Sequence, residues 1–144
     1  MKSDKLIVDS NVLVGFYIPK DTLHQQAINI IKQTRHLPKI INDYLLSEIT
    51  TLILIRGKNL SLATKIGQDF INDTFPKFSL TQINKRLNQQ TLKIFRQQTS
   101  NKLSFADCSI IAQAKIEKIL TIITFDKHIR QEFKGQFDFL PKRL

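Results

Sequence analysis

The chain has 144 residues, 42% hydrophobic and 24% charged, a balance typical of one globular domain rather than of a disordered segment. Its longest apolar runs, such as residues 52–55, are far too short to span a bilayer. The single cysteine, Cys108, excludes a disulfide framework and a thiolate zinc site. No secretory apolar segment follows the first five residues, so we expect a cytoplasmic protein without membrane contacts.

The charge points to a class of partner. The chain carries 22 Lys and Arg residues against 12 Asp and Glu residues, a formal net charge of +10. On a domain of this size such an excess favours a polyanionic partner, most often a nucleic acid. A basic surface that is merely solvated is the alternative.

Short apolar runs alternate with helical periodicities along the chain. In the first half of the chain we predict a strand at 6–8, a helix at 22–34, a strand at 38–41, a helix capped by Asn42 or Asp43 that runs to about residue 56 with Gly57 as its C-cap, and a helix at 61–72. In the second half we predict a strand at 78–80, a helix at 81–98, a helix at 103–114, a strand at 119–124, a helix at 126–133 and an edge strand at 137–140. This alternation predicts a single α/β domain, residues 1–144, with a central, mostly parallel β-sheet flanked by helices on both faces.

Four acidic residues are predicted to converge on one edge of that sheet. Asp9 ends the first strand in "LIVDSN", and Asp126 follows the strand "LTIIT" in "TFDKHI". Asp107 and Glu48 lie near the starts of their helices. Because the carboxyl ends of parallel strands lie beside the N-terminal halves of these helices, all four side chains can reach one pocket.

Two of these acids interrupt apolar stripes. Asp107 stands three or four residues from Leu103, Ile110 and Ile111 in "LSFADCSIIAQA", and Glu48 lies in a similar stripe. A carboxylate there loses hydration at a cost of several kcal/mol in order of magnitude unless a partner compensates.

Each acid also has a purely structural interpretation. Ser104 and Asp107 form an S-x-x-D pattern that suits a capping box, and Asp126 can cap its short helix. Asp9 can be a turn residue, and Glu48 can pair with a neighbouring Lys or Arg. One shared cause explains all four better: a hard divalent cation such as Mg²⁺ or Mn²⁺, which prefers oxygen ligands and relieves the repulsion between carboxylates. With a basic surface to gather phosphates, such a site predicts phosphodiester hydrolysis.

At this point the chain resembles the PIN-domain nucleases, and among them the VapC-like ribonuclease toxins of type II toxin–antitoxin pairs. The resemblance runs through "LIVDSNVLVGFYI", "SEITTLI", "LSFADCSIIAQA" and "ILTIITFDKHIRQEF". It implies that Asp9, Glu48, Asp107 and Asp126 are the catalytic acids. Asp9 and Asp107 would be the most regular metal contacts, with Asp126 and Glu48 completing the site directly or through water.

The resemblance also assigns supporting positions and partners. Asn11, Ser104 and Thr124 match polar positions that brace the acids, whereas Phe125 replaces a residue that is usually small and polar. The family implies Mg²⁺- or Mn²⁺-dependent RNA cleavage, a homodimer, and a small antitoxin whose tail occupies the active groove.

Three basic residues are candidates for RNA contacts: Lys102, just ahead of Ser104, and Lys85 and Arg86 on the polar helix. Three other functions stay open. A housekeeping PIN nuclease has the same site, and a non-catalytic RNA-binding module has the same surface. A phosphotransfer domain is disfavoured, because its phosphatase form wants D-x-D where this chain has Asp9-Ser10-Asn11.

Overall fold

The computed structural model describes residues 3–144; the predicted domain boundary at residue 1 lies outside that range. The elements are β1 (Ser3–Val8), α1 (Ser10–Tyr17), α2 (His24–Gln33), β2 (Lys39–Asn42), α3 (Asp43–Gly57), α4 (Leu60–Ile71), β3 (Phe78–Thr81), α5 (Lys85–Gln97), α6 (Phe105–Glu117), β4 (Ile119–Ile123), α7 (Lys127–Glu132) and β5 (Asp138–Leu140). Within residues 3–144, no helix combines the length and the apolar character needed to cross a membrane.

The strands form one five-stranded sheet in the order β3-β2-β1-β4-β5, and every pairing is parallel. The predicted α/β fold with a parallel sheet is therefore confirmed. The chain order reverses at β1, whose neighbours are β2 and β4, and ligands of such sheets bind at this switch point. Val8 pairs with Ile123 there, so the residues that follow β1 and β4 emerge side by side.

The core forms on the sheet because its central strands are apolar on both faces. Ile7, Ile40 and Ile122 are at most 1% exposed, as expected for strands covered by helices on both sides. The same core holds the buried Cys108.

One helix was missed by the sequence prediction. Residues 10–17 form α1, in which Val12, Leu13 and Val14 are buried. The segment spans barely two turns and is buried around most of its circumference, so it shows no amphipathic period.

Several predicted boundaries were wrong by a few residues. The helix predicted at 81–98 begins only at Lys85, because Thr81 belongs to β3 and the Asn84 side chain caps α5 by accepting from the Leu87 N–H at 2.8 Å. Gly57 is the last residue of α3, and the C-cap is Lys58 in the left-handed conformation with φ 50°.

Candidate active site at the carboxyl edge of the sheet

Asp9 is the buried centre of the site. It follows β1, is 3% exposed and caps α1, with its Oδ1 accepting from the Ser10 N–H at 2.7 Å. Its other oxygen, Oδ2, accepts from the Thr124 hydroxyl at 2.6 Å. Thr124, directly after β4, also accepts from the Asp126 N–H at 3.0 Å, so one buried hydroxyl connects two of the acids.

Glu48, in the second turn of α3, is connected to Asp9 through Ser10. The Ser10 hydroxyl donates to Glu48 Oε1 at 2.9 Å and lies 3.4 Å from Asp9 Oδ1. Sequence reasoning did not select Ser10. The available signal was the position of Ser10 directly after Asp9 at the start of α1. That signal could be used only if residues 10–17 were already known to form a helix.

Asp107 caps the start of α6 with one carboxylate oxygen and has its second oxygen available for the site. The capping box is present: the Ser104 hydroxyl accepts from the Asp107 N–H at 3.0 Å, and Asp107 Oδ2 accepts from the Ser104 N–H at 2.9 Å. The other carboxylate oxygen makes no hydrogen bond with residues 3–144, so the cap occupies only half of this group.

Asp126 is a helix cap, as its structural interpretation predicted. Its Oδ1 accepts from the N–H groups of His128 and Ile129 at 2.7 and 3.3 Å. Asn11 accepts weakly from the Phe125 N–H at 3.4 Å, which ties the segment before Asp126 to α1.

The acids influence one another electrostatically. Burial, aided by the charges of Asp107 and Glu48, raises the pKa of Asp9 to about 7. Burial and the Asp107 charge also raise the pKa of Glu48, and burial and the Asp126 charge raise that of Asp107. The only salt bridge in residues 3–144 joins Lys65 to Asp69, so no basic side chain forms a salt bridge with these four carboxylates, and the charge of His128 only partly offsets the rise in the pKa of Asp107.

The donor set suits Mg²⁺ or Mn²⁺ in chemistry but does not form a closed ligand shell. Across the described part of the chain, no three His, Cys, Asp or Glu side chains are grouped so that they could hold one ion. Caps and hydroxyls also occupy oxygens of Asp9, Asp107 and Asp126. Mg²⁺ commonly takes only one or two carboxylates and retains several waters, so two of these acids would suffice as protein ligands.

The basic candidates do not share one cleft. Lys85 lines a cleft with Tyr44 and Phe105, beside the start of α6, and Lys102 is exposed just ahead of Ser104. Arg86 lines a separate cleft with Gln113 and Glu117, on the later turns of α6. Lys85 and Lys102 therefore lie near the start of α6, which carries Asp107, and Arg86 lies beside later turns of that helix.

The parallel sheet and the acidic residues at its switch point define the chain as an α/β domain with an acidic site. Comparison with known proteins identifies its family. The family model for the PIN domain matches residues 6–132. The chain belongs to the PIN domain family. The comparison with curated proteins finds no match.

Solved structures share this fold at low sequence identity. VapC20 of Mycobacterium tuberculosis, described as a toxin that cleaves the sarcin–ricin loop, is 15% identical with a TM-score of 0.74, over 88% of this chain and 93% of that one. VapBC2 of Rickettsia felis, bound to a promoter DNA fragment, is 11% identical with a TM-score of 0.62, over 94% and 96%. A toxin–antitoxin complex from Klebsiella pneumoniae is 16% identical with a TM-score of 0.59, over 95% and 93%.

Proposed function

We propose that this PIN domain is an endoribonuclease that depends on Mg²⁺ or Mn²⁺ and hydrolyses RNA phosphodiester bonds. The observation that carries the proposal is the buried Asp9 carboxylate, which has Glu48 and Asp107 as charged neighbours and no basic partner within residues 3–144. Burying the Asp9 carboxylate without an opposite charge is costly. A divalent cation would supply that charge.

The acids have distinct roles in this proposal. Asp9 and Asp107, whose charges influence each other, would hold the cation directly, and Asp126 and Glu48 would complete the site through water. Thr124 orients Asp9 through the bond to Oδ2, and Ser10 orients Glu48. When bound, the cation polarises the scissile phosphate and lowers the pKa of a bound water.

The basic surface gathers the substrate. The net charge of +10 attracts the RNA backbone at long range. We assign phosphate contacts to Lys85, in the cleft with Phe105, and to Lys102, just ahead of Ser104. Arg86, in its separate cleft, is placed to contact RNA only farther from the acids.

The biological role that we propose is that of a toxin. Toxins and toxin–antitoxin complexes among the solved structures with this fold support it, and they support a small antitoxin protein as partner. We further propose that the enzyme is a homodimer. Growth arrest on expression, relieved by Asp9→Ala, is the expected phenotype; a housekeeping nuclease would be tolerated.

One observation favours a second candidate, a non-catalytic RNA-binding PIN domain. In the described residues no three acids form a ligand group for one ion. Such a protein would bind RNA through its basic surface and leave it intact in Mg²⁺ or Mn²⁺.

Asp107→Asn separates the two candidates. The Asn oxygen can still accept from the Ser104 N–H, so α6 keeps its cap and the fold survives. We expect RNA cleavage in Mn²⁺ to fall at least about 100-fold, as is typical for loss of one group that stabilises the transition state. Asp138→Asn, on an exposed position of β5, is the matched control and should cleave like the wild type. RNA that stays intact with the wild-type protein would favour the binding module.

A further inference from the structure

A fully buried polar cluster lies behind the site. Asn42, Ser109 and Gln113 are each at most 1% exposed. Asn42 Nδ2 donates to Ser109 Oγ at 3.0 Å and to Gln113 Oε1 at 3.1 Å, and Gln113 in turn donates to Glu117 Oε2 at 2.9 Å. Buried amides and hydroxyls are costly unless satisfied, and here each finds a partner.

The cluster connects the two helices that carry acids. Asn42 ends β2 and caps α3, its Oδ1 accepting from the Leu45 N–H at 3.1 Å. α3 carries Glu48, while Ser109 lies two residues after Asp107 on α6.

Little else connects these helices. α3 packs mainly on α4 and α1, and α6 packs mainly on α5. Tyr44 and Phe105 make an edge-to-face contact with ring centroids 5.7 Å apart. Within residues 3–144, the Asn42 amide makes the only side-chain hydrogen bonds between the α3 cap and α6.

We propose that Asn42 is a positioning residue that sets the separation of Glu48 and Asp107 by bonding the start of α3 to α6. The inference rests on the proposed metal-dependent function. A helix cap alone does not explain the choice of residue, since Ser caps equally well. Only an amide caps α3 with its oxygen while its nitrogen donates twice to α6.

Asn42→Ser tests this role, because it keeps the cap and removes both bonds to α6. We expect the folded variant to bind Mn²⁺ about 10-fold more weakly by calorimetry or electron paramagnetic resonance, the lower end of the usual effect of losing support behind a metal ligand. kcat for RNA cleavage should fall to a similar extent with KM little changed, since the RNA-binding surface is untouched.

Asn59→Ser is the matched control. Asn59 caps α4 by accepting from the Leu62 N–H at 2.9 Å and lies on the surface, so its replacement should leave Mn²⁺ binding and kcat unchanged. If Asn42→Ser does not fold, Ser109→Ala removes one of the two bonds from the α6 side and should weaken Mn²⁺ binding in the same direction.

The outcomes separate this inference from the proposed function. Wild-type affinity for Mn²⁺ in folded Asn42→Ser, or in Ser109→Ala when Asn42→Ser does not fold, would overturn the positioning role alone. A wild-type protein that binds no Mn²⁺ would overturn the proposed function and the positioning role with it.

Discussion

The two edges of the sheet bury charges of opposite sign in different ways. At the amino edge, Lys39 begins β2 and is 1% exposed. Its ammonium donates to the carbonyl oxygens of Thr34 and of Leu37, the latter at 2.9 Å, and lies 5.6 Å from the centroid of the Phe78 ring. At the carboxyl edge, Asp9 is buried among hydroxyl donors and other acids.

The difference lies in whether the fold satisfies each charge by itself. Thr34 is the C-cap of α2, so its carbonyl carries the partial negative charge of a helix end toward Lys39. Asp9 likewise faces a helix end, since it caps the N-terminus of α1, but it also senses the like charges of Asp107 and Glu48 and forms no salt bridge within residues 3–144. We infer that the amino edge is structural and that the carboxyl edge is built for a cation from outside.

Replacing Lys39 at the amino edge should lower the stability of the fold without changing the chemistry at the carboxyl edge. Lys39→Met keeps similar bulk but leaves the Leu37 carbonyl without its Lys39 donor and the Thr34 carbonyl with only the Leu37 N–H. We expect the free energy of unfolding in urea to fall by about 2 to 3 kcal/mol, the scale of a lost charged hydrogen bond and an unsatisfied group. Cleavage per folded molecule should not change. Lys93→Met, on the exposed face of α5, is the control, and a Lys39→Met protein of wild-type stability would show that the edge does not need this charge.

At the carboxyl edge, a substitution should weaken cation binding, and its effect should be smaller than that of Lys39→Met on stability. Thr124→Val conserves shape but removes the hydroxyl shared by Asp9 and Asp126. Mn²⁺ affinity, measured by calorimetry, should fall about 10-fold because the ligand loses its orienting partner. Thr91→Val is the matched control: Thr91 is equally buried, and its hydroxyl donates within α5 to the Leu87 carbonyl at 2.7 Å. Equal Mn²⁺ affinity in the two variants would remove Thr124 from the site.

The sequence predicts the long-range layout better than the contacts within it. Apolar strands alternating with helices specify a parallel sheet, and that topology alone brings Asp9 and Asp126 to one edge. The Thr124–Asp9 bond depends on the pairing of Val8 with Ile123, a register that no local pattern encodes. Asn42 was visible only as a helix cap.

Lys39 illustrates the other limit of sequence reasoning. Lysine is almost never fully buried without a partner, so a lysine at a strand start predicts an exposed residue. Here the partners are main-chain carbonyls of the segment before β2, which the side-chain sequence does not reveal.

Because the buried Asp9 carboxylate lacks an opposite charge within residues 3–144, the free energy of unfolding should depend on pH. Since burial raises the pKa of Asp9 from 3.8 in the unfolded chain to about 7 in the fold, the folded protein holds the proton more tightly. The stabilisation from that proton is complete below about pH 4 and is lost as the pH rises through about 7. Glu48 and Asp107, whose pKa values are also raised, act in the same direction.

The most direct measurement is therefore the melting temperature at about pH 8 with and without Mg²⁺, in the wild type and in Asp9→Asn. A cation that binds only the folded state stabilises it by mass action. We predict that Mg²⁺ raises the Tm of the wild type by several degrees and leaves that of Asp9→Asn, which lacks the buried charge, almost unchanged. Equal Tm values for the wild type with and without Mg²⁺ would contradict a cation site at this edge of the sheet.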